Sequence, residues 1–346
     1  MFKSVKITEK SKIFFIISAI LVVAAIVLLI FPGLKLGLDF TEGATVTVSF
    51  NQEYVGDLQG ELEDFIGGKN ENDKFDVKNV RVINGGASLQ FDLSYKYDGV
   101  VLSQQEFSEK LTAEDTGLLD TLKDKINNDC SAFFGESTEN VLDEGVTYSF
   151  TSPDATKALT SKAALAISIA IVAMLIYIGI RFKFTSGIAA IIVLIHDVLV
   201  MLLLTAAFRI TVNTTFIAAV ITVIGYSINA TIIVFDRIKE NLVKYEGKGL
   251  TDGEVANISI KETMRRTIFT TITTLVMIVL VAIFGVASIR EFALPIIFGL
   301  LSGVYSAIVL SSCVWVQIRK IASKMNFGKK KTSYQKHVKA KAVKEA

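Results

Sequence analysis

His196 and Asp197 stand side by side near the middle of the apolar stretch 187–208. A charge at that depth costs at least about 2.5–3.5 kcal/mol on insertion scales, so the pair is expected to be buried against partners. There a carboxylate can bind and release a proton and an imidazole can pass it on. The competing reading is a satisfied helix contact that moves nothing. A second polar group interrupts 214–235: Thr222, Gly225, Tyr226, Ser227 and Asn229, followed at once by Asp236-Arg237-Ile238-Lys239-Glu240-Asn241. On a helix Thr222, Tyr226, Asn229, Ile233 and then Asp236 or Arg237 recur every three or four residues, which predicts a polar seam facing inward. Such a seam suits an ion path, and it equally suits hydrogen bonding between helices with glycine permitting close approach. Arg265 and Arg266 precede a further apolar stretch. Arg265, near an end, can snorkel. Arg266 stands one turn ahead of Thr270, Thr271, Thr273 and Thr274, a run more polar than lipid exposure explains.

Soluble-enzyme chemistry is not indicated, and no enzyme activity is expected. There is no glycine-rich phosphate loop with a lysine, and Gly85-Gly86 sits in a predicted hairpin turn. Neither histidine has ligand spacing to a cysteine or to the other histidine, so no metal or other cofactor is expected. Cys130 and Cys313 fall in different phases and define no disulfide framework.

The elements that position these groups follow from composition. The 346 residues are 51% hydrophobic with three prolines, and the mean hydropathy is +0.50, as in a multi-spanning membrane protein. Charge is segregated: between Lys35 and Lys157 there are 24 acidic and 10 basic residues, a local −14 inside a chain of net +2. The reading is a cytoplasmic N-terminus (1–12), a first span at 13–31, an acidic extracytoplasmic domain at 32–160, a membrane region at 161–318 and a basic cytoplasmic tail at 319–346. The membrane region holds spans near 162–180, 187–208, 214–235, 267–287 and 292–317, each of bilayer length. The first stretch is read as a retained anchor because no small-x-small cleavage site follows it. Lysines before span 1, Arg181 and Lys183, the loop from Arg237 to Arg266 and the tail all fall on one side, which places both termini in the cytoplasm. The tail, with Lys329-Lys330-Lys331, reads as a solvated end, with docking to anionic lipid or an acidic partner as the alternative.

In the acidic domain, strands are predicted at 44–50, 75–83, 88–95 and 146–151, with a short helix at 57–66 and a longer helix that includes 118–126. That β-α-β-β-α-β order is the ferredoxin-like, split βαβ arrangement. Ser152-Pro153-Asp154 has the chemistry of a helix start.

Taken together, Gly37-Leu38-Asp39-Phe40-Thr41, His196-Asp197-Val198, Gly225-Tyr226-Ser227-Ile228-Asn229 running into Asp236-Arg237-Ile238-Lys239-Glu240-Asn241, and Arg266-Thr267 resemble the SecD/SecF family of bacterial protein-export membrane proteins, on its SecF side. The resemblance implies an α-helical polytopic fold, a six-span RND-type half-transporter with an α+β ferredoxin-like extracytoplasmic domain between spans 1 and 2, in the cell membrane. It implies a SecD partner, a SecYEG channel, a translocating preprotein, and YajC and YidC as further partners. It implies that the proton-motive force assists translocation after SecA has acted; a non-conducting scaffold and an RND-type exporter of lipid or small molecules are the alternatives. Two positions depart from the family pattern. Ala230 stands where the family usually has aspartate, and Glu42 replaces the first glycine of the usual Asp-Phe-Thr-Gly-Gly. A proton carrier in this chain therefore falls to Asp197, the one carboxylate inside any predicted span, with His196, Asn229, Tyr226 and Arg266 around it. Restoring aspartate at 230 is expected to be tolerated.

Overall fold

The computed structural model describes residues 7–41, 43–50, 75–83, 88–97, 100–107, 142–151 and 153–324. Among the described residues, six helices are long and apolar enough to cross a membrane. They are α1 (Ser11–Ile30), α2 (Pro153–Arg181), α3 (Phe184–Ala207), α4 (Thr214–Lys244), α5 (Asp252–Phe284), and α6 (Ala287–Tyr305) continued through a π-helical turn (Ser306–Leu310) into α7 (Ser311–Lys324).

These helices do not share burial equally. Half of the apolar window of α3 and of α4, and 61% of that of the last span, is buried within the chain, against 11% or less for α1, α2 and α5. The core is therefore α3, α4 and α6–α7, with three helices laid around it. One apolar cluster joins Ala189, Ala190, Phe235, Ile238, Ile260 and Trp315; another joins Met201, Phe216, Val223, Ile296 and Leu300. The closest approach is at Gly299, where an added Cβ would lie 2.3 Å from a Val223 methyl.

Helices α4 and α5 run well past the predicted spans, and the reading of Arg237 to Arg266 as a loop is corrected. Helix α4 continues to Lys244, and α5 starts at Asp252 behind a capping box in which Thr251 accepts from the Glu254 backbone and Glu254 accepts from the Thr251 backbone. Only a short turn separates them, with Gly247 and Gly249 at φ of 80° and 72°. The Thr-x-x-Glu signature that marks this start is local and present in the sequence.

Strand β1 (Lys35–Leu36) follows α1 and pairs in parallel with β7 (Thr211–Val212), the link between α3 and α4. The Gly37 N–H donates to the Val212 carbonyl at 2.8 Å. Asp39 then accepts from the backbone N–H and the hydroxyl of Thr214, at 2.7 and 2.6 Å, so its charge sits on the N-terminus of α4. Asn213 caps that helix on Phe216 and donates to Glu291 of α6. The motif after the first span is thus a splint from α1 to α4.

The acidic domain contributes β2 (Gly43–Phe50), β3 (Phe75–Ile83), β4 (Ser88–Tyr97), β5 (Val100–Val101) and β6 (Leu142–Thr151). They form an antiparallel sheet in the order β3-β4-β2-β6, with β5 on β4. Alternation on the pleat buries Ala44, Val46 and Val48 of β2 and Leu89, Phe91, Leu93 and Tyr95 of β4 on one face. The helices expected at 57–66 and 118–126, the turn at 84–86, Ser152 and Cys130 lie outside the described residues. Gly43 begins β2 against the β4 backbone: a Cβ there would stand 2.3 Å from the Leu93 carbonyl oxygen and 2.7 Å from Leu38. So the geometry requires a glycine at 43. Gly43→Ala is expected to lower the melting point of the purified protein, since overpacking costs about 1–3 kcal/mol. Gly225→Ala, which meets nothing within 4 Å, should melt like wild type. Equal behaviour of the two variants would remove the close-approach argument.

Candidate functional site

Asp197, on α3, is fully buried. Its Oδ1 accepts from Ser302 Oγ at 2.7 Å and lies 3.2 Å from His196 Nδ1. Its Oδ2 accepts from Ser227 Oγ at 2.5 Å and Ser306 Oγ at 2.6 Å. One carboxyl group therefore ties α3 to α4 and α6. Ser302 and Ser306 reach it together because they stand one turn apart on one helix face. Between them Gly303 lets the spans close: a Cβ there would be 3.7 Å from the Ser227 Cα and 3.9 Å from the Asp197 carboxyl. Ser306 also opens the π-helical turn, a distortion found mostly at functional sites. Each hydroxyl can donate or accept by rotating, so the same shell can serve the carboxyl group ionised or protonated.

His196 is 4% exposed, and among the described residues its Nε2 has no hydrogen-bond partner. Its ring lies 6.0 Å from that of Tyr305, whose hydroxyl bonds Ser18 and the Phe14 carbonyl on α1. The predicted pair at the middle of α3 is thus brought together as expected. The other expected members are not. Asn229 and Arg266 are exposed on α4 and α5, and neither touches Asp197. Tyr226 is half-buried and donates to Thr271 Oγ1 at 3.0 Å.

The inward seam is therefore corrected. Helix α4 turns Ser227, Thr231, Val234, Ile238 and Asn241 into the protein and leaves Thr222, Gly225 and Asn229 on its outer surface. Periodicity identifies residues that share a face; packing against α3 and α6 chooses which face points in. Ala230 is only 5% exposed, so a carboxylate there would enter packed surroundings, against the expectation that it is tolerated. Sequence reasoning missed Ser302 and Ser306. The available signal was Ser-Gly-x-x-Ser in the last span, two hydroxyls one turn apart beside a glycine.

The Asp236-to-Asn241 block lies beyond the apolar stretch of α4 and has a different task. Asp236 pairs with Arg181 of α2. Arg237 donates to Glu262 and Glu240, both at 2.7 Å, and the buried Asn241 donates to Ser259 at 2.9 Å and Glu262 at 2.7 Å. Glu262 is thus held by Arg237 and Asn241 together. From Ser259 a buried ladder of hydroxyls, Thr263, Thr267 and Thr271, climbs α5 in steps of four residues. Asn241 bonds its lower end and Tyr226 its upper end, so these two motif residues fasten the same antiparallel helix pair. Small side chains allow that close contact.

Fold and site together define a multi-pass membrane protein of six spans, with a β-sheet domain between the first two and a carboxyl group sequestered among three of the others. Residues 135–321 match the family described as protein export membrane protein SecD/SecF, C-terminal. The chain is 33% identical to protein translocase subunit SecF of Cereibacter sphaeroides over 85% of this chain and 83% of that one, and 31% identical to SecF of Alicyclobacillus acidocaldarius over 92% and 94%. It is 32% identical to protein translocase subunit SecDF of Bacillus subtilis, covering 89% of this chain and 37% of that longer one. The crystal structure of SecDF from Thermus thermophilus, a translocon-associated membrane protein, shares the fold with a TM-score of 0.67 at 23% identity, over 92% of this chain and 40% of that one. The chain belongs to the SecD/SecF family of protein-export membrane proteins.

Proposed function

We propose that this chain is the SecF-type subunit of a protein translocase in a bacterial cytoplasmic membrane. With a SecD-type half it uses the proton-motive force to draw preproteins out of a SecYEG channel after SecA has acted. The observation that carries the reading is the Asp197 carboxyl group, since a membrane helix that only had to pack would gain nothing from a carboxylate at its middle. Asp197 is the proton-binding group in this reading. His196 exchanges the proton with it, and Ser227, Ser302 and Ser306 re-aim their hydroxyls as it charges and discharges. The SecF relatives support reading the chain as one half that works beside a SecD-type half. The outward polar groups of α4 and α5, Thr222, Asn229, Arg266 and Thr270, face that partner. YajC and YidC are further candidates for the same assembly.

The acidic domain is extracytoplasmic and both termini are cytoplasmic in this reading, as the charge segregation requires. A protease site placed within residues 84–86 should be cut from outside intact cells, and cutting only from the cytoplasmic side would reverse the faces. The strand order β3-β4-β2-β6 supports the ferredoxin-like assignment of the domain.

Energy is drawn from the ion gradient, where each charge crossing 100 mV is worth about 2.3 kcal/mol. In vesicles holding a translocation intermediate from which SecA has been removed, a protonophore should stop the late movement that depends on this chain. Movement that survives collapse of both proton and sodium gradients would contradict the motor and favour a scaffold. The scaffold has its own support: alanine stands at 230, and the Asp197 carboxyl group already holds three serine hydroxyls on neighbouring helices.

A further inference from the structure

At the polar ends of α2 and α4 a recess of about 540 Å3 is lined by Arg181, Asp236, Lys239, Glu240, Val243 and Lys244. Its level relative to the bilayer follows from the helices. Arg181 is the last residue of α2, and Asp236 directly follows the apolar stretch of α4. The recess therefore lies where lipid headgroups meet the hydrocarbon. Its carboxylates are already engaged, Asp236 by Arg181 and Glu240 by Arg237. Its lysines are less committed. Lys239 has no hydrogen-bond or ion-pair partner among the described residues. The Lys244 ammonium lies 5.4 Å from the ring of its neighbour Tyr245 and adds to the positive field at Glu262. Beside these charges stand apolar side chains that nothing in the chain covers: Val243 is 71% exposed, and Ile180 and Phe184, which flank the Arg181 turn, are 85% and 79% exposed.

Two ammonium groups beside such an apolar fringe do not suit a freely soluble anion, for which the fringe is useless. They suit a molecule with a phosphate at the interface and hydrocarbon below it. We propose that this recess binds an anionic phospholipid, its headgroup phosphate between Lys239 and Lys244 and its acyl chains along Ile180 and Phe184. Lysine suits this task as a compact, mobile point charge that follows a headgroup without demanding a fixed geometry. The site also gives the Arg181–Asp236 pair a role, since neutralising Asp236 leaves the net charge of the recess positive.

The test is native mass spectrometry of the full chain, purified in mild detergent with the subunits that stay bound to it, and titrated with phosphatidylglycerol or phosphatidylcholine. Wild type should retain phosphatidylglycerol in preference to phosphatidylcholine. Lys239→Gln/Lys244→Gln should cut phosphatidylglycerol retention roughly 25-fold, because each lysine near an anionic surface contributes about fivefold, or about 1 kcal/mol. Phosphatidylcholine retention should not change, and millimolar inorganic phosphate should not displace the lipid. The control Lys10→Gln/Lys261→Gln removes two exposed lysines elsewhere and should bind like wild type. Lack of preference for phosphatidylglycerol, an equal loss in the control, or displacement by inorganic phosphate would each overturn the assignment. A copurified protein segment crosslinking to Lys239 in place of lipid would do the same.

Discussion

Asp197→Asn should give a protein that folds, inserts and keeps its partner half but no longer couples translocation to the gradient, whereas Asp197→Leu should fail to reach the native state. The difference lies in the shell. Asparagine keeps the shape of the carboxyl group, and serines 227, 302 and 306 can rotate to meet its amide as well as its oxygen. It cannot take up or release a proton. Leucine removes every acceptor at once. Ser306 can fall back on the Gly303 carbonyl, to which it already lies at 3.2 Å. Ser227 and Ser302 would be left in a dry interior, at about 1–3 kcal/mol for each unsatisfied group. The expected loss, roughly 2–6 kcal/mol by that reckoning, is a large share of the 5–15 kcal/mol that holds a typical domain together. Thermal melting in detergent and gradient-driven export in vesicles separate the two effects. If Asp197→Asn exports as well as wild type, the proton path runs through the partner half and Asp197 is a structural tie. If Asp197→Leu melts like Asp197→Asn, the serine shell is not the tie described here.

Gly225→Trp should leave the isolated chain folded and weaken its assembly with a SecD-type half. Among the described residues nothing lies within 4 Å of a Cβ added at Gly225, and the position is exposed, so a bulky residue there starts out away from the rest of the chain. The same outer surface carries Thr222, whose hydroxyl donates to the Ala218 carbonyl, and Asn229, an amide at membrane depth that lipid would leave unsatisfied. A partner helix seated on them would be pushed away by the indole. Overpacking of that kind costs about 1–3 kcal/mol, roughly a 5- to 150-fold loss of affinity. Affinity purification in mild detergent followed by quantification of the SecD-type chain reads the effect directly. Gly299→Trp is the contrasting case: Val223 occupies the space at 2.3 Å, so the chain itself should fail to fold. Normal recovery of the SecD-type chain with Gly225→Trp would place the partner on another face.

What the amino-acid sequence determines by itself is the membrane architecture. Six stretches of bilayer length, the acidic insertion and its β-strands are set by local hydropathy, alternation and charge, quantities that need no knowledge of distant residues. The depth of Asp197 is legible for the same reason: its position within an apolar stretch fixes where it lies, and the cost of a bare charge there requires partners. Which partners was decided only by the tertiary structure. Ser227 and Asn229 are two residues apart on one helix, and nothing local distinguishes them. The packing of α4 against α3 and α6 turns Ser227 to the carboxyl group and Asn229 away. Ser302 and Ser306 lie more than a hundred residues from Asp197 along the chain, and they meet it because Gly299 and Gly303 let the last span close on α4. The Asp236-to-Asn241 block and the Asp39 motif read in the sequence as signatures without a task. Their tasks, clamping α4 to α5 and capping α4 from the end of α1, exist only once these helices stand side by side.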